Sequence, residues 1–338
     1  GLQKLADELS KEEALSLMAG AEVDSAPVPP SKPPPEIEGI SAADLQRLFT
    51  PKGEQVRRMR HDLQSGNEWS FGLRVFDEAT LGGARGGQLV TIIGRSHTGK
   101  TLLALNMVAR NRKHRTLWVS PDETETMFWG RYAAVRLEID QKDWVNRLIR
   151  EDPTAWERVE QLMRDETHLH FESTGMTVDD LDKAMRIASV ELWDGQRPDV
   201  IVYDYLELIR GGGAGDAASV QAKIESFKQL VSDWRVVGVI LHQSGRGSGN
   251  RGKAGGIEAG RYASTSESHF LIETWRRWDD TNLDDDDRAH YASEISVGLW
   301  KNKSGDGEKA ETNLTIHPSG RLLEPGVVWE QMRLDENE

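Results

Sequence analysis

The chain has 338 residues, 37% of them hydrophobic and 29% charged, with no cysteine and a formal net charge of −14. That apolar content is enough for one sizeable core, and the absence of thiols excludes disulfides, thiolate metal sites and a cysteine nucleophile. Global charge gives no sign of nucleic acid, so any such contact must come from a local basic element. No apolar run approaches the ~18–20 residues of a membrane span, the acidic start is unlike a signal peptide, and a cytoplasmic location is expected.

Taken in chain order, Leu2, Leu5, Leu9, Leu15 and Met18 recur at helical spacing and predict a short amphipathic helix over residues 2–19. The stretch Pro27–Pro35 holds six of the 12 prolines, which makes it an extended, semi-rigid linker. Ser41 and Asp44 fit a Ser-x-x-Asp start for a helix over Ala42–Phe49. Residues 1–65 therefore read as an arm and linker, either a solvated tail or an arm that docks on a neighbouring subunit. Residues 66–330 read as one α/β domain and 331–338 as a C-terminal tail.

From Trp69 onward short β-rich runs recur: Gln88–Ile93, Thr116–Ser120, Leu169–Glu172, Val200–Asp204, Val236–His242 and Phe270–Thr274. Helical patterns such as Leu102–Asn111, Trp156–Met163 and Val220–Trp234 lie between them. This alternation predicts a mainly parallel sheet sandwiched by helices. Ile295–Trp300 and Asn313–His317 add an antiparallel pair at the C-terminal end. The acidic run Asp284–Asp287 reads as a solvated loop, and most tryptophans sit in apolar patterns that suit core packing.

Chemistry concentrates first in Gly94-Arg95-Ser96-His97-Thr98-Gly99-Lys100-Thr101, a complete G-x-x-x-x-G-K-[ST] octet. A chance match in a chain of this length is roughly 1% at average glycine usage. The octet follows a predicted strand and opens a predicted helix at Leu102, the setting the motif requires. Backbone N–H groups there cradle phosphates. Lys100 is expected to reach the β- and γ-phosphates of ATP, and the Thr101 hydroxyl to hold Mg²⁺. The second element is the apolar strand Val200–Tyr203 ending in Asp204, which sets a carboxylate beside the same Mg²⁺.

Asp204-Tyr205-Leu206 with Leu208 resembles the Asp-Tyr-Leu-x-Leu signature of DnaB-type replicative helicases. Gly72…Phe76-Asp77…Gly82-Gly83…Gly86-Gly87-Gln88-Leu89 is similar to the lead-in to the phosphate loop across the RecA superfamily. Val239-Ile240-Leu241-His242-Gln243 resembles the strand that carries the family's glutamine sensor, and Lys301-Asn302-Lys303-Ser304-Gly305 its Lys-x-Arg-x-Gly finger. The resemblance spans about residues 70–325 and implies a RecA-like P-loop NTPase core that hydrolyses ATP. The family's catalytic glutamate falls at Asp122, with Glu123 beside it, so either carboxylate can activate water; a solvated helix start is the plainer alternative. His242 replaces the usual serine before Gln243. Lys303 stands where the helicases have arginine and brings a point charge without the bidentate fork.

The same resemblance implies DNA at Ser244–Arg261, a Gly-rich loop with Arg246, Arg251, Lys253 and Arg261 against one acid, Glu258. Those cations would supply sequence-independent phosphate affinity. Gly211–Gly215 is either a second channel loop or a plain turn. The expected function is a single-stranded-DNA-dependent ATPase of the DnaB-like helicase class, working as a homo-oligomeric ring, a hexamer favoured, in replication or recombination. A recombination-type ATPase that coats DNA, or a nucleotide-gated scaffold with little turnover, are the competing readings. The resemblance does not extend to the domain with which full-length DnaB helicases bind primase and loader, which points away from a stand-alone helicase. A compact core of this kind suits a phage or plasmid gene.

Overall fold

The computed structural model describes residues 52–64, 68–211, 217–243, 254, 264–280, 282–304 and 307–326. The helices expected over 2–19 and 42–49, the linker 27–35 and the tail 331–338 lie outside them. So do Arg246, Arg251, Lys253, Arg261 and residues 212–215. The chain divides into two compact units, Gly1–His61 and Asp62–Glu338. Helix α1 (Lys52–Gln64) is described at the junction of the two in sequence.

The second unit is a three-layer α/β structure. Its elements run α2 (Arg74–Ala79), β1 (Leu89–Gly94), α3 (Lys100–Arg110), β2 (Thr116–Val119), α4 (Glu125–Leu137), α5 (Gln141–Ile149), α6 (Pro153–Asp165) and β3 (Leu169–Glu172). They continue with α7 (Val178–Glu191), β4 (Val200–Tyr203), α8 (Ala217–Trp234), β5 (Val237–Gln243), α9 (Ser264–Glu267), β6 (Phe270–Trp275), α10 (Asp285–Tyr291), β7 (Glu294–Asn302), β8 (Ala310–Ile316) and β9 (Leu322–Leu323). Among the described residues nine strands form one sheet in the order β3-β2-β4-β5-β1-β6-β7-β8-β9. β1 to β6 are parallel, and β7, β8 and β9 add antiparallel strands at one edge. Every strand run expected from the sequence is present, within a residue or two for the parallel strands and up to three at the ends of β7 and β8.

Strand alternation sends side chains to two cores. Val200 and Val202 of β4 join Leu103, Trp118, Phe128 and Trp144 on one face, whereas Ile201 and Tyr203 join Leu181, Ile224 and Phe227 on the other. Both faces of the central strands are therefore covered, which is why β4 reads as a continuous apolar run and β1 as one broken only by the buried Thr91. Helix ends follow local chemistry. Asp152 caps α6 with Pro153 in its first turn, and Thr177 and Asp180 form a reciprocal capping box on α7. The run Asp284–Asp287 corrects a reading from sequence: it is exposed, but it is the capped first turn of α10 and not a loop, since Asp284 accepts from the Asp287 N–H and acids suit a helix N-terminus. No described helix is long and apolar enough to cross a membrane.

One buried polar cluster bears on pH. Glu166, 1% exposed, pairs with Arg112 and Arg136 and accepts a 2.8 Å hydrogen bond from Tyr132 Oη. His168 Nδ1 lies 3.2 Å from the same carboxylate, yet burial dominates and lowers the imidazole pKa from 6.5 to about 4. His269, beside Lys303, Lys228 and Lys301, is likewise lowered by burial to about 4. Both folded-state values lie below the unfolded one, so the unfolded chain binds more protons between pH 6.5 and about 4, and stability falls as pH falls through that window. At full development the His168 shift is worth on the order of 3 kcal/mol. Thermal melts from pH 7.5 to 5 are expected to show a declining Tm, and His168→Gln to flatten the decline. An unchanged slope in that variant would exclude His168 as its source.

Candidate active site

The phosphate loop leaves β1 at Gly94 and enters α3 at Lys100. A Cβ on Gly94 would lie 2.5 Å from both Thr274 Oγ1 and Thr98 Oγ1, so only glycine lets the loop start against β6. Gly99 is left-handed at φ 94° where α3 begins, and Thr98 Oγ1 is hydrogen-bonded to Thr274 Oγ1 at 2.9 Å. The loop is thereby anchored to β6 while the N-terminus of an 11-residue helix points into a cavity of about 690 Å³. That cavity is lined by Ser96, His97, Lys100, Thr101, Asp122, Glu123, Arg131, Asp204 and Gln243, among others. Six residues singled out in the sequence (Lys100, Thr101, Asp204, Gln243 and the alternative water-activating acids Asp122 and Glu123) thus line one cavity, reached from β1, β2, β4 and β5 at their C-terminal ends.

Lys100 Nζ donates to the carbonyls of Gly94 at 3.1 Å and Arg95 at 2.8 Å. Burial lowers its pKa, while Asp204 and Glu207 pull it back up. Thr101 Oγ1 donates to Asp204 Oδ2 at 2.7 Å. Asp204 is 6% exposed, and burial raises its carboxyl pKa against the Thr101 hydrogen bond and the charges of Lys100 and Arg131. A hydroxyl and a carboxylate side by side are hard oxygen donors of the kind Mg²⁺ takes, and a divalent cation would offset the burial cost of that carboxylate. The pair fits such an ion.

The two adjacent acids are not equivalent. Glu123 is buried and ion-paired with Arg131 of α4, whereas Asp122 is exposed on the cavity wall, near enough to raise the pKa values of Asp204 and Tyr205. Sequence reasoning did not single out Arg131. Its one legible signal is an arginine on a helix whose neighbours Phe128, Tyr132, Ala133 and Ala134 are all buried. Burial lowers its pKa and Asp204 opposes that shift, so it sits as a second cation at the pocket. Gln243 ends β5 and its Nε2 donates to Ser96 Oγ in the phosphate loop.

Lys301 and Lys303 stand apart from this cavity. β7 runs antiparallel to β6 and pairs Lys301 with Leu271, whereas Gly94 of the phosphate loop pairs with Thr274. The two lysines therefore occupy the opposite end of the sheet. Lys301 Nζ donates to the Ser266 carbonyl at 2.8 Å, and its pKa is lowered by burial and by Lys303. Lys228 forms a 2.6 Å ion pair with Glu267 in the same group.

The family model of the DnaB-like helicase C terminal domain matches residues 70–255, more than half of the 338. Among solved structures, a DnaB-like replicative helicase studied with primase superposes with a TM-score of 0.66 at 15% identity, over 83% of this chain and 69% of that one. A second solved structure, the ATPase domain of another protein, superposes with a TM-score of 0.65 at 15% identity, over 82% of this chain and 99% of that one. No curated protein sequence matches the chain. The structural likenesses give the RecA-like fold, and the family match covers the phosphate loop, the Asp204 strand and the Gln243 strand together. The chain belongs to the DnaB-like helicase C-terminal domain family, as an ATPase of helicase type.

Proposed function

We propose that the chain hydrolyses Mg-ATP to drive movement along single-stranded DNA as a homo-oligomeric ring, a hexamer favoured, in replication or recombination. The observation that carries this reading is the convergence of Lys100, Thr101, Asp204, Asp122 and Gln243 on one cavity, with Lys301 and Lys303 at the far end of the same sheet. The α3 N-terminus and Lys100 hold the phosphates, and Ser96 to Thr98 supply backbone N–H groups around them. Thr101 and Asp204 would hold the metal, which would supply neutralisation of the charge developing on the transferred phosphoryl group. Asp122 orients and deprotonates the attacking water. Glu123 is committed to Arg131, and a carboxylate paired with a guanidinium is a weaker proton acceptor. Gln243 reads the γ-phosphate. Lys303 serves the pocket of a neighbouring subunit, because its own lies at the other end of the sheet.

DNA contact is assigned to Arg246, Arg251, Lys253 and Arg261, which follow Gln243 in sequence. Four cations allow at most four phosphate contacts per subunit, so log K is expected to fall with log[salt] at roughly −0.7 per contact on single strands. ATP turnover measured with and without single-stranded DNA tests the reading. Stimulation is expected in the wild type. It should vanish when Arg246, Arg251 and Lys253 are neutralised together, with basal turnover retained. Undiminished, salt-sensitive DNA binding in that triple variant would move the contact elsewhere, with Arg57, Arg58 and Arg60 next in line. Absence of DNA stimulation in the wild type would favour the nucleotide-gated scaffold.

A further inference from the structure

Glu207 lies in the 3₁₀ turn Leu206–Leu208, just past Asp204, and does not line the nucleotide cavity. Its Oε1 accepts from the Gln243 N–H at 3.2 Å and lies 2.9 Å from Nδ1 of His242, whose side chain is 2% exposed. Its own carbonyl accepts from Lys223 Nζ at 3.3 Å, which ties the turn to α8.

The sheet register shows why this carboxylate matters. β5 pairs with β1 as far as Gly94 and Gln243, but with β4 only as far as Tyr203 and Ile240. On the β4 side, Leu241 to Gln243 therefore run past the end of the ladder. Glu207, on the chain that continues β4, takes over there: one carboxylate holds the backbone of Gln243 and faces the ring of His242. Without it the last turn of β5 is restrained on one side only. Gln243 in turn reaches Ser96 of the phosphate loop.

We propose that Glu207 is a positioning residue for hydrolysis. It fixes the exit of β5 so that the carboxamide of Gln243 stays over the phosphate loop. It acts through Gln243 and so rests on the reading of Gln243 as the γ-phosphate sensor.

Steady-state ATP turnover of the full chain decides this for Glu207→Gln, Glu207→Ala, Gln243→Ala and the Glu207→Ala/Gln243→Ala pair. A carboxamide at 207 keeps one acceptor oxygen and loses the charge toward His242; alanine keeps neither. kcat is expected to fall about 3-fold in Glu207→Gln and about 10-fold in Glu207→Ala, the scale of one hydrogen bond with a charged partner. KM for ATP should stay within about 2-fold of wild type, because Lys100, Thr101 and Asp204 are untouched. The paired variant should be no slower than Gln243→Ala alone, since both changes act on one path. A purely structural role would instead lower Tm and shift KM with kcat, and that result overturns the proposal. Slow Gln243→Ala with wild-type kcat in both Glu207 variants removes the inference alone. Wild-type kcat in Gln243→Ala removes it together with the sensor reading. If the alanine variant does not fold, Glu207→Gln decides by itself: lower kcat at unchanged KM supports the role, and unchanged kcat ends it.

Discussion

Lys100→Ala is expected to fold as the wild type does and to hydrolyse no measurable ATP. The ammonium is held at the mouth of the phosphate loop by the carbonyls of Gly94 and Arg95. Removing a positioned charge of this kind costs at least ~10²–10³ in rate, and here it removes ground-state phosphate binding as well. The fold should tolerate the loss. The bonds lost are to loop carbonyls, whereas the loop is anchored independently through Thr98 and Thr274, so Tm should move by no more than a few °C. Turnover and a thermal melt on the same sample check both halves. Full-rate hydrolysis by a folded Lys100→Ala protein would falsify the assignment of the pocket.

Asp122→Asn is expected to lower kcat by ~10²–10⁴, the contribution of a positioned general base, while ATP still binds. Glu123→Gln should behave differently, because that carboxylate is buried and its ion pair with the half-buried Arg131 is what the change removes. A cost in stability of roughly 1–3 kcal/mol is the expected signature of removing one partner of a part-buried pair, with a smaller effect on the chemical step. Nucleotide binding by fluorescence, kcat and Tm for both variants separate the two roles. Equal, mild losses of turnover would mean that neither acid activates water.

The fold was legible in the sequence wherever burial was extreme. Runs such as Val200–Tyr203 lie between two layers of helices and can be nothing but apolar, so their strands stand out. The phosphate loop was equally plain, because Gly94 and Gly99 are demanded by contacts and backbone geometry that no other residue meets. What escaped were features that depend on partners distant in the chain. The difference between Asp122 and Glu123 is set by Arg131, eight residues beyond Glu123 and brought back by α4. The link from Glu207 to Gln243 spans 36 positions and arises only because β4 stops short of β5. Asp284–Asp287 was misread for a smaller reason: charge pattern alone does not separate a loop from a helix start, and only the cap from Asp284 does. The capping box of Thr177 and Asp180 was written locally and could have been used to start α7.

The sheet itself carries a consequence for assembly. β6 begins next to His269, whose carbonyl accepts from the Lys303 N–H, and reaches Thr274 beside the phosphate loop. Five residues of strand make this a strut of roughly 17 Å, packed on both faces and unable to stretch. In the proposed ring, a subunit that lends Lys303 to one neighbour and accepts a lysine from another would do so through the two ends of that strut. With two different neighbours such contacts are head-to-tail, the kind that closes a ring, whereas an isologous pair would have to bring both ends into one self-complementary interface. In the ring proposed above, the spacing between successive nucleotides would be set by this rigid piece of backbone, and a change of pitch would require whole subunits to rotate.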